Sequence, residues 1–119
     1  MRGIRGAITV KENTEEAIGK ATRKLLRAMM SENNITTGDI VSVMFTLTSD
    51  LNAAFPAACA RKMQGWSYIP MLCAQEVDVP GSMSGCIRVL MHANIDVAQR
   101  DVKHVYLDDA VKLRPDLKD

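Results

Sequence analysis

The hydrophobic and polar positions change period several times along the chain, and each change marks an element. In residues 2–10, Ile4, Ile8 and Val10 fall on one side with Gly6 between them, while Arg5, Ala7 and Thr9 fall on the other. That alternation predicts a strand. The period then lengthens. Ile18, Ala21, Leu25 and Ala28 or Met29 form one stripe of a helix ending near Glu32. Asn13 and Glu16 have the spacing of a capping pair, with Glu15 and Glu16 at the positive end of the helix dipole and Lys24 and Arg27 late in the helix. Thr37-Gly38-Asp39 reads as a turn. Residues 40–48, IVSVMFTLT, return to strict alternation and predict the clearest strand.

Pro56 suits the first position of a second helix, predicted to end near Gly65. Residues 68–73 predict a strand with Pro70 near its start, which places it near a sheet edge. A loop over 80–85, a strong strand over 86–93 and a short one over 105–107 follow, and then a tail. Strands interleaved with helices predict an α/β (α+β) fold, a mixed sheet with helices packed against it. At 119 residues, without repeat or linker, the chain is expected to form one domain spanning 1–119.

Composition narrows the possible functions. A 47% hydrophobic content supports a true core, and no apolar run approaches the ~18–20 residues that cross a bilayer. The first ten residues lack the apolar stretch of a secretory signal, so a soluble, cytoplasmic protein is expected. Fifteen basic and 14 acidic residues leave a charge of +1, which speaks against a nucleic-acid partner. Cys59, Cys73 and Cys86 are odd in number and lack metal-ligand spacing, so reduced thiols and no metal are expected. There is no P-loop lysine in the 81–85 segment, no G-x-G-x-x-G after a strand and no serine elbow. The expectation is chemistry without a cofactor.

Charged residues inside apolar segments are the informative remainder. Arg5 interrupts the first strand and Arg88 interrupts CIRVLMHA. An arginine in such a place lies on a solvated sheet face, pairs with a carboxylate such as Glu76, or receives an anion. Two guanidinium forks on separate strands suit a small dicarboxylate. Gly3 and Gly6 were expected to let ligand and backbone approach closely. Arg61 and Arg114 are further cations, with ordinary surface charge as the plain alternative. Glu76 is base, hydroxyl acceptor or counter-ion. Cys73 has no histidine nominated beside it, Tyr106 is either ligand donor or core tyrosine, and His104 is expected at the surface.

RGIRGAITV, FPAACAR, CAQEVDVPGSMSGCIRVLMH and HVYLDDAVKLRPDL, in this order and spacing, closely resemble the monofunctional chorismate mutases of the AroH class over essentially the whole chain. The resemblance implies a pseudo α/β barrel fold in a homotrimer with active sites at the subunit interfaces. It also implies cofactor-free rearrangement of chorismate, a small dicarboxylate, to prephenate on the route to phenylalanine and tyrosine. Position by position, it implies that Arg88 donates to the ether oxygen, Arg5 holds a carboxylate, and Glu76 accepts from the ring hydroxyl with Cys73 facing the ring. Tyr106 would bind a carboxylate, and the segment Leu72, Cys73, Ala74, Gln75 would line the pocket. Phe55, Arg61, Leu113 and Arg114 would form wall and mouth, with a tail of about residues 110–119 closing over them.

Some family members carry lysine where this chain has Ala58 and threonine where it has Leu72, and Asp108-Asp109 adds negative charge near a dianion site. Slightly weaker binding is expected from these departures. Two other readings stand beside the mutase. One is an enamine/imine deaminase of the Rid type, against which the Glu76 segment and CIRVLM speak; the other is a non-catalytic sensor of aromatic-pathway acids.

Overall fold

The computed structural model describes residues 1–113. Five strands, β1 (Arg2–Thr9), β2 (Ile40–Leu47), β3 (Met71–Gln75), β4 (Cys86–Ala93) and β5 (Val105–Leu107), form one mixed sheet in the order β3-β2-β4-β1-β5. β4 runs antiparallel to both β1 and β2, while β3 and β5 pair in parallel at the two edges. Two helices, α1 (Glu15–Glu32) and α2 (Pro56–Arg61), supply the crossovers.

Alternation decides which sheet face the helices cover. The rungs Ile4–Met91–Val43 and Ile8–Ile87–Leu47 lie on one face. These side chains are buried with Phe45, Val89 and the α1 stripe of Ile18, Leu25, Leu26 and Met29. Trp66, in the turn after α2, closes this core at 1% exposure. Gly6 belongs to the same face. A side-chain carbon there would collide with the Met29 sulfur, so its bareness makes room for a methionine on the core face, while its backbone borders a cavity on the opposite face.

Local chemistry moves several predicted boundaries. Thr14, not Asn13, caps α1: its hydroxyl accepts from the Ala17 N–H at 3.1 Å. Asn13 instead accepts from the backbone N–H groups of Asn52 and Ala53, tying the loop before α2 to the start of α1. Lys24 and Arg27 fall short of the last turn of α1, and Lys24 pairs with Asp108 at 3.6 Å. α2 stops at Arg61, because successive turns through Met63 and the left-handed Gly65 (φ 85°) carry the chain away. β3 begins after Pro70, whose carbonyl accepts from Val43 N–H at 3.0 Å, and runs two residues beyond the predicted end. It is an edge strand, as its proline required.

Candidate active site

The sheet face turned away from the helices carries the polar positions. One rung across it reads Tyr106, Ala7, Arg88, Thr46, Ala74, and the next reads Arg5, Leu90, Met44, Leu72. Arg5 and Arg88 are therefore diagonal neighbours, with origins roughly 7–8 Å apart. Ala7, nearly bare of side chain, leaves space between Tyr106 and Arg88. A cavity of about 260 Å³ opens here, lined by Arg5, Ala7, Thr46, Arg88, Tyr106 and, from a 3-10 turn over Asp108–Leu113, Leu113.

Glu76 reaches this face from just beyond β3. Its N–H donates to the Leu47 carbonyl at 2.8 Å, prolonging the pairing of β3 with β2 by one residue. Its carboxylate oxygen Oε2 lies 3.1 Å from Arg88 Nε and accepts from the Thr46 hydroxyl at 2.6 Å. The Glu76 side chain is 16% exposed and that of Arg88 45%. The carboxylate is thus largely withdrawn from water while the cation remains open to a ligand. The Glu76 contact falls at the Nε edge of the guanidinium, which also interacts with the Cys86 side chain. Two guanidinium groups and one carboxylate leave net positive charge, which suits a small anion.

Cys86 starts β4 beneath this cavity, and burial pushes its thiol up to about 11, with Arg88 pulling it down and Glu76 raising it. It stays protonated at neutral pH and is no nucleophile. The Arg5 N–H donates to His104 Nδ1 at 2.9 Å, so this partly exposed imidazole also supports β1, a role the sequence did not suggest. Asp108 directs its charge to Lys24 on α1, and the Asp109 N–H donates to the Thr9 hydroxyl at 3.1 Å.

The remaining predicted residues lie elsewhere. Cys73 sits opposite Phe45 and packs on the core face, so one chain does not bring it to Glu76. Burial raises its thiol, the largest influence on it; the nearby Arg61 charge acts in the opposite sense. With Phe55, Ala58, Ala74 and Gln75 it lines a second, larger cavity of about 500 Å³ between α2 and the β3 edge. Arg61 is exposed at the end of α2, and Leu72 is exposed on the open face opposite Met44. Arg114 and the tail beyond Leu113 lie outside the described residues. Sequence reasoning missed Thr46, whose signal was a hydroxyl at an outward position of the clearest strand. It also missed the acceptor role of His104, which no periodicity announces.

The family model described as chorismate mutase type I matches residues 1–117. Two curated relatives are similar over nearly their whole length, both named chorismate mutase AroH. The one from Thermus thermophilus is 53% identical over 119 residues, covering 99% of this chain and 97% of the relative. The one from Bacillus subtilis (strain 168) is 47% identical over 117 residues, covering 98% and 92%. A solved structure of a chorismate mutase from Clostridium thermocellum superposes with a TM-score of 0.89 at 49% identity, covering 92% of this chain and 97% of that one.

Proposed function

The chain belongs to the type I chorismate mutase family, and from that premise we propose that it is an isomerase converting chorismate to prephenate for phenylalanine and tyrosine synthesis. The observation that carries this reading is the Arg5–Arg88–Glu76 arrangement over a small cavity, a positive receptor holding one desolvated acceptor.

The reaction is unimolecular. The ether C–O bond breaks as a C–C bond forms from the enolpyruvyl side chain to the ring, and no atom is gained or lost. Negative charge grows on the ether oxygen and positive character on the ring fragment. Arg88 donates to that oxygen through Nη, where a preplaced cation in a water-poor cleft is worth more than solvent. Arg5 and Tyr106 hold carboxylates and so gather the flexible substrate into its folded, reactive conformer. Glu76 accepts from the ring hydroxyl. The tail beyond about residue 110 closes over the bound substrate. No group is asked to move a proton or form a bond to substrate, so neutral thiols at Cys73 and Cys86 are no handicap.

The site is completed by a second copy in a homotrimer. Phe55, Arg61, Cys73 and Gln75 lie apart from the arginine cavity within one chain, while Leu72 and Ala74 share its sheet face at the β3 edge, as two halves of an interfacial site do. The open sheet face supports the same assembly: Leu72, Leu90 and Met44 are 66%, 39% and 37% exposed there, more apolar area than a solvated face normally presents. One domain, acting without a cofactor in the cytoplasm, is the resulting picture. Among the described residues no helix is long and apolar enough to cross a membrane. The test is direct. Purified protein is mixed with chorismate and the loss of its absorbance is followed while prephenate is identified by chromatography; no conversion above the buffer rate refutes the proposal.

A further inference from the structure

We propose that Thr46 is a positioning residue of this rearrangement, its hydroxyl pinning the Glu76 carboxylate to the Nε edge of Arg88 so that the Nη groups stay available to substrate. The proposal rests on the function proposed above.

Glu76 has little else to fix its side chain. It follows the last residue of an edge strand, and the exposed loop over 77–85 begins directly after it. An ion pair with arginine does not by itself choose a geometry, because a carboxylate can meet the guanidinium at one nitrogen or across two. Thr46 removes that freedom. It faces Arg88 directly across β2 and β4 and faces Ala74 across β2 and β3, so its hydroxyl stands between cation and carboxylate. Its contact to Oε2, 2.6 Å, has the length of a charge-assisted bond. β-branching in a strand restricts its side-chain rotation, which makes it a stiff anchor.

Its neighbours cannot substitute for it. Met44 has no donor, and the Thr48 hydroxyl accepts from the Cys86 N–H at 3.0 Å and donates to the Asp50 carboxylate. Oε2 thus meets both the Thr46 hydroxyl and Arg88 Nε, and in this proposal Oε1 is the oxygen that accepts from a ligand hydroxyl. Without Thr46 the carboxylate can slide along the fork, take an Nη donor, and compete with the ether oxygen for it.

The experiment compares Thr46→Val, which keeps the shape, with Thr46→Ser, which keeps the hydroxyl. Thr46→Val is expected to lower kcat about tenfold while KM moves less than about twofold, and Thr46→Ser to stay within about twofold of wild type. Thermal midpoints should match throughout. In a Glu76→Ala background Thr46→Val should be silent, since its effect passes through Glu76. Wild-type kcat in Thr46→Val, equal loss in Thr46→Ser, or an additive loss in the Glu76→Ala background overturns the proposal. If the wild type proves inactive on chorismate, the proposed function fails separately, and crystal structures of wild type and Thr46→Val decide the positioning alone. A carboxylate displaced onto Nη in the variant upholds it, and an unmoved carboxylate refutes it.

Discussion

The surroundings of Arg88 come from two other stretches of the chain, Glu76 beyond β3 and Thr46 on β2, together with Cys86 at the start of its own strand. Its oddity in an apolar segment was legible in the sequence, and so was the carboxylate able to face it. The bridging hydroxyl was not, because a threonine alternating along a strand looks like any outward polar residue until the register sets it opposite the arginine. In the proposed mechanism the two arginines divide the work. Arg5→Ala is expected to raise KM at least about tenfold with a smaller loss of kcat, since a carboxylate contact acts on bound substrate and transition state alike; steady-state kinetics checks the split. The buried thiol of Cys86 gives a titration with a definite sign. Its value lies near 11 in the fold against an ordinary 9.0. The unfolded chain therefore ionises first as pH rises, and stability is full below about pH 9 and falls across pH 9–11. Denaturant midpoints should decline over that window and decline less in Cys86→Ala.

Elements were read more securely in type than in extent. β2 was plain because alternation over eight residues has one reading, and β4 because it is a short apolar run, whereas α2 is too short for its period to fix an end. The cap moved from Asn13 to Thr14 because both residue types cap helices, and only the loop before α2 decides that Asn13 is needed elsewhere. The junction of the 77–85 loop with β4 shows what such local chemistry supports. Gly85 is left-handed, at φ 60°, and a side-chain carbon there would meet the Val10 carbonyl oxygen at 2.8 Å. Its N–H donates to the Asp50 carboxylate at 2.9 Å, and its carbonyl accepts from Val10 N–H at 2.7 Å. Gly85→Ala is expected to destabilise the fold by about 1–3 kcal/mol in urea denaturation, combining an unfavourable backbone with a backbone clash. Asp50 is held below its ordinary value, first by Thr48 and then, against burial, by Gly85. Its contribution is present at neutral pH and lost as pH falls through the lowered value.

At the scale of the whole molecule, the sequence offered an apolar excess and a resemblance; neither says which surface assembles. The open sheet face is the surface that the proposed assembly would cover, since alternation leaves Leu72, Leu90 and Met44 outward on the same side as the arginines. The odd spacing of Cys73 and Glu76 puts them on opposite faces of a continuous strand, but the strand was predicted to end at Cys73, so the rule was not carried on to Glu76. Leu72→Asp is expected to leave the chain folded by circular dichroism while sedimentation shows monomers in place of trimers, with chorismate turnover lost at the same time. Retained activity in a monomer would separate catalysis from assembly. The proposed mechanism rests on presenting one guanidinium to one oxygen, so the turnover number of Arg88→Ala beside wild type, with folding matched by thermal midpoint, is the most direct test. The account predicts a fall in kcat of more than about a hundredfold; a variant turning over chorismate at close to the wild-type rate contradicts it.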